Sequence, residues 1–231
     1  MSQGRDKVDY RFQVSGVPVT VSVLTIVAVL MSWFFSFGYV RRMSSRRGVL
    51  GGFFALYTGL VSSIFLMISV ALHECGHALM AIMLGIPIAG SGMSWWGAYV
   101  NFPLSPTTLS PESEIALAAA GPAVNLLIAL VALIQAYGKR AEESAGKYVR
   151  MYLASQNAIL GISNLLPIYM FQIGALDGGY VAHGYFRIHD HSAAQVNLDM
   201  VFATVLGVVG LFLLVVVTML INLSISTSSS E

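Results

Sequence analysis

The chain carries the run His73-Glu74-Cys75-Gly76-His77. Positions four apart on a helix share one face, so His73 and His77 can grip one divalent ion. The glutamate between them is then placed to act as general base on an attacking water, the chemistry of a zinc hydrolase. Cys75 projects to the opposite face and reads as a packing residue. The surroundings sharpen the signal, because the run sits inside a long apolar stretch. Each central charged group in such a stretch costs roughly 2.5–3.5 kcal/mol on insertion scales. A bound metal offsets that penalty by engaging the imidazole lone pairs. The bland alternative is a structural metal or a polar contact between helices.

A catalytic zinc usually has three protein ligands and an open fourth position. The third ligand must come from elsewhere in the chain. Asp177, in Leu176-Asp177-Gly178-Gly179, is one candidate. Its glycines would let the backbone turn tightly beside a metal, but an aspartate there equally suits a helix cap. His183, His189 and His191 are rival ligands in what reads as a polar loop. Glu142 and Glu143 fall in another polar loop.

The elements that must position these groups are apolar. Of 231 residues, 56% are hydrophobic and 10% charged, with a net charge of +1, and the mean hydropathy is +0.75. Soluble domains carry about 25% charged residues. The expectation is therefore an all-α, multi-pass integral membrane protein with the lipid bilayer as partner, and no charge excess argues for nucleic acid. The lone Cys75 excludes an intramolecular disulfide. Five apolar runs read as spanning helices. They cover about residues 17–40, 48–84, 113–138, 148–171 and 196–223, followed by a Ser-rich tail, 224–231, that reads as disordered. The second run is long for one span, and Gly51-Gly52 is its expected break. No appended soluble domain is expected; the whole of 1–231 reads as one transmembrane domain with its core at about 48–180.

Between the second and third runs, residues 87–111 are rich in Gly, Ser and aromatics. The Trp95–Val100 segment reads either as an interfacial aromatic belt or as a hairpin that enters the membrane and lines a cavity. Further along, Ala118-Ala119-Ala120-Gly121 is a small-residue patch suited to close helix approach. Gly121 and Asn125 share a face, as do Asn157 and Asn164, giving polar stripes in apolar helices. Hydrogen bonding between helices and lining of a water channel are both open to Asn125 and Asn157. Asn164 stands beside Pro167, which frees local backbone near the expected metal end.

These blocks resemble the site-2 protease family of intramembrane zinc metalloproteases. The resemblance rests on His73–His77, on Gly121-Pro122-Ala123-Val124-Asn125, and on Asn164-Leu165-Leu166-Pro167 followed by Leu176-Asp177-Gly178, in that order. It implies a three-helix core from the second, third and fourth runs, Zn²⁺ held by His73, His77 and Asp177, and Glu74 as the base. It implies that Asn164 stabilises the oxyanion or holds the substrate backbone. The Trp95–Val100 segment would be a membrane-associated hairpin that docks substrate as an added strand, with Trp95, Gly97 and Tyr99 as contacts and Asn125 nearby. The activity implied is zinc metalloendopeptidase cleavage of transmembrane segments of membrane-protein substrates. The chain departs from the family in one respect: Asp177 follows Pro167 by ten residues, farther than in the family, so Tyr169–Gly174 must loop out.

The rival reading is a non-proteolytic metal-binding or transport protein, although no internal repeat of the transporter kind is visible. Orientation is read in two ways. Arg41, Arg42, Arg46, Arg47, Lys139, Arg140, Lys147 and Arg150 fall on one side, against Arg5, Lys7, Arg11 and Arg187 on the other. The positive-inside tendency puts the first group in the cytoplasm, whereas the family resemblance implies the reverse.

Overall fold

The computed structural model describes residues 9–14, 16–94, 97–103, 108–137, 144–170, 174–189 and 192–228. Trp95, Lys139, Arg140, Glu142, Glu143, Asp190 and His191 fall outside them, as do Arg5 and Lys7. The chain is mostly helical but not all-α. Six helices, α1 (Thr25–Met43), α2 (Gly48–Met83), α3 (Pro111–Tyr137), α4 (Ala145–Asn164), α5 (Asp177–His189) and α6 (Ala193–Ser228), are joined by six short strands. The strands are β1 (Asp9–Val14), β2 (Val17–Ser22), β3 (Gly90–Ser94), β4 (Gly97–Asn101), β5 (Tyr169–Met170) and β6 (Gly174–Ala175).

Among the described residues, α1, α2, α3 and the Ala193–Val217 part of α6 are long and apolar enough to cross a membrane. These are four of the five expected spans. The fourth apolar run is α4, whose 20 residues include Lys147, Arg150, Ser155, Gln156 and Asn157, so composition alone does not mark it as a span. Residues 17–22 are a strand rather than the start of a helix. Val17, Val19 and Val21 alternate with Pro18, Thr20 and Ser22, and β-branched residues at period two favour extended backbone. At the other end, α6 continues to Ser228, through residues read as tail.

Two compact units emerge. The first comprises residues 1–103 and 124–158. Its α2 is unbroken over 36 residues, about 54 Å at 1.5 Å per residue. Gly51 does not interrupt it; a Cβ there would stand 2.5 Å from the Arg46 carbonyl oxygen, so the glycine admits the preceding chain. Gly85, with φ +69°, ends the helix in the left-handed conformation. The α1–α2 interface is small and polar, as expected where lipid rather than water surrounds the helices. Ser36 Oγ donates to the Gly59 carbonyl at 2.7 Å, and Ser63 Oγ to that of Val29 at 3.0 Å. Phe34 of α1, by contrast, is 70% exposed. This polar-in, apolar-out pattern inverts that of a soluble bundle.

The sheet of the first unit has the order β1-β2-β3-β4. β1 and β2 pair antiparallel, β2 and β3 parallel through Val19↔Ser91 to Val21↔Met93, and β3 and β4 antiparallel. Pro18, which has no amide hydrogen, lies just outside the β3 ladder. Tyr99 closes over its cross-strand partner Gly92, where a Cβ would come within 2.6 Å of the tyrosine oxygen. β4 packs on α2.

The second unit comprises residues 104–123 and 159–231. Its central feature is the return from Pro167 to Asp177. β5 and β6 pair through Tyr169↔Ala175 and Met170↔Gly174, and the Leu176 amide donates to the Ile168 carbonyl at 3.0 Å. α6 passes close by, since a Cβ on Gly207 would stand 3.1 Å from the Pro167 carbonyl carbon. Residues 177–189, read as part of a polar loop, are instead helix α5.

Candidate metal centre

His73 and His77 both lie on the buried face of α2, 6% and 8% exposed. Their Nε2 atoms stand 3.2 Å apart. Two nitrogens at 2.0–2.1 Å from one tetrahedral zinc would be roughly 3.3–3.4 Å apart. The pair is thus already set at the spacing that a zinc ion imposes on two of its ligands. Glu74 follows His73 on the same helix and is partly buried, while Cys75 is exposed on the opposite side.

The tautomer of His73 is set from behind. Its Nδ1–H donates to Oδ1 of Asn125. Asn125, 1% exposed, donates through Nδ2 to Oδ1 of Asn157 at 2.8 Å. Asn157 donates in turn to the Leu153 carbonyl at 2.9 Å and to Oγ of Ser69 at 3.3 Å. This chain links α2, α3 and α4 and leaves the His73 Nε2 lone pair for a metal, the usual arrangement for a ligating histidine. Asn125 was a candidate for substrate contact or channel lining. Hydrogen bonding between helices was its other reading, and in the structure its amide joins His73 through Oδ1 and Asn157 through Nδ2.

Asp177 opens α5, where the helix dipole favours a carboxylate. It is followed by buried Gly178 and Gly179. A Cβ at Gly178 would stand 2.1 Å from the Leu165 carbonyl oxygen and 2.5 Å from that of Leu166. Only glycine lets the helix start lie against the turn after α4, and Asn164 is the last residue of that helix. His73 and His77, in the first unit, offer two imidazole nitrogens, and Asp177, in the second, offers a carboxylate. Two imidazoles and one carboxylate match the donor set of a zinc site with one open position.

Among the described residues, His183 and His189 join no group of ligand atoms that could hold a metal, and His191 lies outside those residues. Nδ1 of His183 pairs with Oε1 of Glu114 at 2.8 Å, and His189 Nδ1 donates to the Tyr185 carbonyl at 2.9 Å. Glu114 is fully buried and also accepts from Arg187 at 2.8 Å. Sequence reasoning missed Glu114, since an acid in the first turn of a helix is ordinarily explained by the dipole. Of the proposed hairpin contacts, Gly97 and Tyr99 lie on β4, and Trp95 is outside the described residues.

The chain matches the model of peptidase family M50 over residues 61–139, a stretch that includes the histidine pair and Asn125. It is 29% identical over 194 residues to a protein named as the zinc metalloprotease Rip3 of Mycobacterium tuberculosis, covering 78% of this chain and 44% of that protein. It is 30% identical over 155 residues to one named as the zinc metalloprotease sll0528 of Synechocystis, covering 65% and 38%. The chain therefore spans less than half the length of these curated relatives. Among solved structures, the site-2 protease from Methanocaldococcus jannaschii shares the fold, with a TM-score of 0.52, 20% identity and coverage of 95% and 92% of the two chains. The resemblance read from the motifs is borne out, and the relatives' names agree with a zinc-binding donor set.

Proposed function

We infer that this chain, akin to the site-2 proteases, is an intramembrane zinc metalloendopeptidase that cleaves transmembrane segments of membrane-protein substrates. One observation carries the reading: two buried imidazoles are held at zinc-ligand spacing with Glu74 beside them on the same helix. Zinc bound there supplies a Lewis acid and lowers the pKa of the attacking water.

The residues of the chain do the rest. His73 and His77 hold the ion as neutral ligands, and Asp177 contributes the negative charge that a dication in a low-dielectric setting favours. Glu74 takes the proton from the attacking water and returns it to the leaving amine. Asn164, at the end of α4, donates to the oxyanion. Substrate must unwind before attack, because a helix ties up its own carbonyls. β4 is an edge of its sheet and packs on α2. Pairing there would satisfy the backbone groups that unwinding frees.

We place α4 as a fifth crossing. Its Asn157 bonds to Ser69 of α2 and Asn125 of α3, residues well inside two apolar helices, so α4 turns its polar face inward among them. The test of the function is cleavage of a transmembrane reporter by the purified chain in proteoliposomes. Activity that needs zinc and is lost with Glu74→Gln while zinc stays bound supports it. Zinc-dependent transport without cleavage would replace it with the metal-transport reading.

A further inference from the structure

In the first unit, α2, the end of α3 and the start of α4 enclose a groove of about 400 Å³. Tyr57, Val61 and Phe65 of α2 form one wall, Leu153 of α4 the other, with Gln135 and Arg150 between them. Tyr57, at its mouth, is 65% exposed. Arg150 is out of keeping with these walls. Its Nε is fully enclosed and has no hydrogen-bond partner among the described residues. An enclosed guanidinium nitrogen without an acceptor carries a desolvation cost, while the side chain as a whole is only partly buried and lines the groove.

The other arginines at this end among the described residues are engaged. Arg41 donates to the Arg46 carbonyl, Arg42 to that of Gly38 and Arg47 to that of Ser44. Arg46 lies over the Phe54 ring at 4.3 Å. Arg150 alone of the five combines an unused guanidinium nitrogen with an apolar cleft. That combination asks for an acceptor attached to a hydrocarbon chain. A guanidinium presents parallel N–H groups that fit phosphate oxygens, and its stem can lie along apolar walls with the charge at headgroup level.

We propose that this groove binds one anionic phospholipid, with its phosphate on Arg150 and an acyl chain along Tyr57, Val61 and Phe65. The proposal rests on the membrane placement of the helices and not on the protease chemistry. The chain's own cations complement it: Arg41, Arg42, Arg46, Arg47 and Lys147 all flank the same end, so an anionic lipid is favoured there before it reaches the groove.

The experiment is native mass spectrometry of the full chain released from nanodiscs holding equal phosphatidylglycerol and phosphatidylcholine. Wild type should retain one phosphatidylglycerol, favoured about five-fold, the increment of one interfacial cation. Arg150→Gln should abolish the preference and Arg150→Lys keep part of it. Lys147→Gln, which changes the same surface field but not the groove, should leave it intact. Millimolar inorganic phosphate should not displace the lipid. Equal retention of the two lipids by wild type would overturn the proposal, as would a preference that survives Arg150→Gln. Displacement by phosphate would make this a free-anion site and overturn it too. Zinc content unchanged in Arg150→Gln shows that the variant is folded. If that variant fails to fold, the wild-type lipid comparison and Arg150→Lys decide alone, and absence of zinc from wild type would count against the protease reading without touching this one.

Discussion

The amide of Leu176 is hydrogen-bonded to the carbonyl of Ile168 at 3.0 Å. That single bond closes the ten-residue gap between Pro167 and Asp177 to the reach of a tight turn. The intervening residues leave as the β5–β6 hairpin, and Asp177 is delivered beside the end of α4 as if the insertion were not there. Extra loop length is cheap, about 0.6 kcal/mol per doubling, provided that the ends are tied.

The tie can be cut. Leu176→Pro removes the donor, and Gly178→Ala drives a methyl into the Leu165 carbonyl. Each should weaken zinc retention about tenfold or more, the scale on which metal sites respond to losing their support. Zinc content after dialysis against graded chelator reads the effect. Undiminished affinity in both would mean that Asp177 is not a ligand.

Asp177→Asn tests the ligand itself. It keeps the shape and removes the charge, so zinc binding should fall and cleavage stop. Asp190→Asn should leave both unchanged. The reverse pattern would move the third ligand to the segment around His189.

Asn125→Ala should lower zinc affinity about 10- to 100-fold by freeing the His73 ring. Asn125→Asp retains the acceptor for His73 and should recover most of that loss. Titration with a fluorescent zinc indicator separates the two; equal losses would assign Asn125 a packing role only.

Glu74→Gln should reduce cleavage about 10²- to 10⁴-fold with zinc content unchanged, the range for removing a general base. Reporter cleavage and metal analysis on the same preparation measure both quantities.

Glu114→Ala should destabilise the second unit by about 3–5 kcal/mol, because it strands His183 and Arg187 without their buried partner. Thermal unfolding in detergent, followed by circular dichroism, checks it. A loss below about 1 kcal/mol would show the cluster to be solvated.

The metal pair was legible because its two features coincide in sequence: a four-residue spacing and an apolar setting that makes charged groups conspicuous. The looping-out of Tyr169–Gly174 was legible from the motifs on either side. β2 was not, because Val17–Ser22 is apolar enough to merge with the helix that follows, and its alternation shows only when its partner β3 is known. α5 was hidden by Gly178, Gly179 and Gly184, which disfavour helix in isolation. At Gly178 and Gly184 neighbouring backbone approaches too closely for a side chain; a Cβ on Gly184 would meet the Pro111 carbonyl at 2.8 Å. Asn125 was seen with two readings open, bonding between helices and channel lining, since nothing local distinguishes an amide that faces a channel from one that faces a histidine.

The parallel ladder between β2 and β3 also orders events during synthesis. Val19 pairs with Ser91, and everything between them is α1, α2 and their short connections. In the membrane placement proposed above, α1 and α2 cross as a pair, and that even number of crossings returns β3 to the face of β2. β2 leaves the ribosome long before its partner and must wait, paired with β1 alone, until both helices have inserted and β3 follows. In that placement the small sheet closes only once the helix carrying the histidines has inserted as the partner of α1.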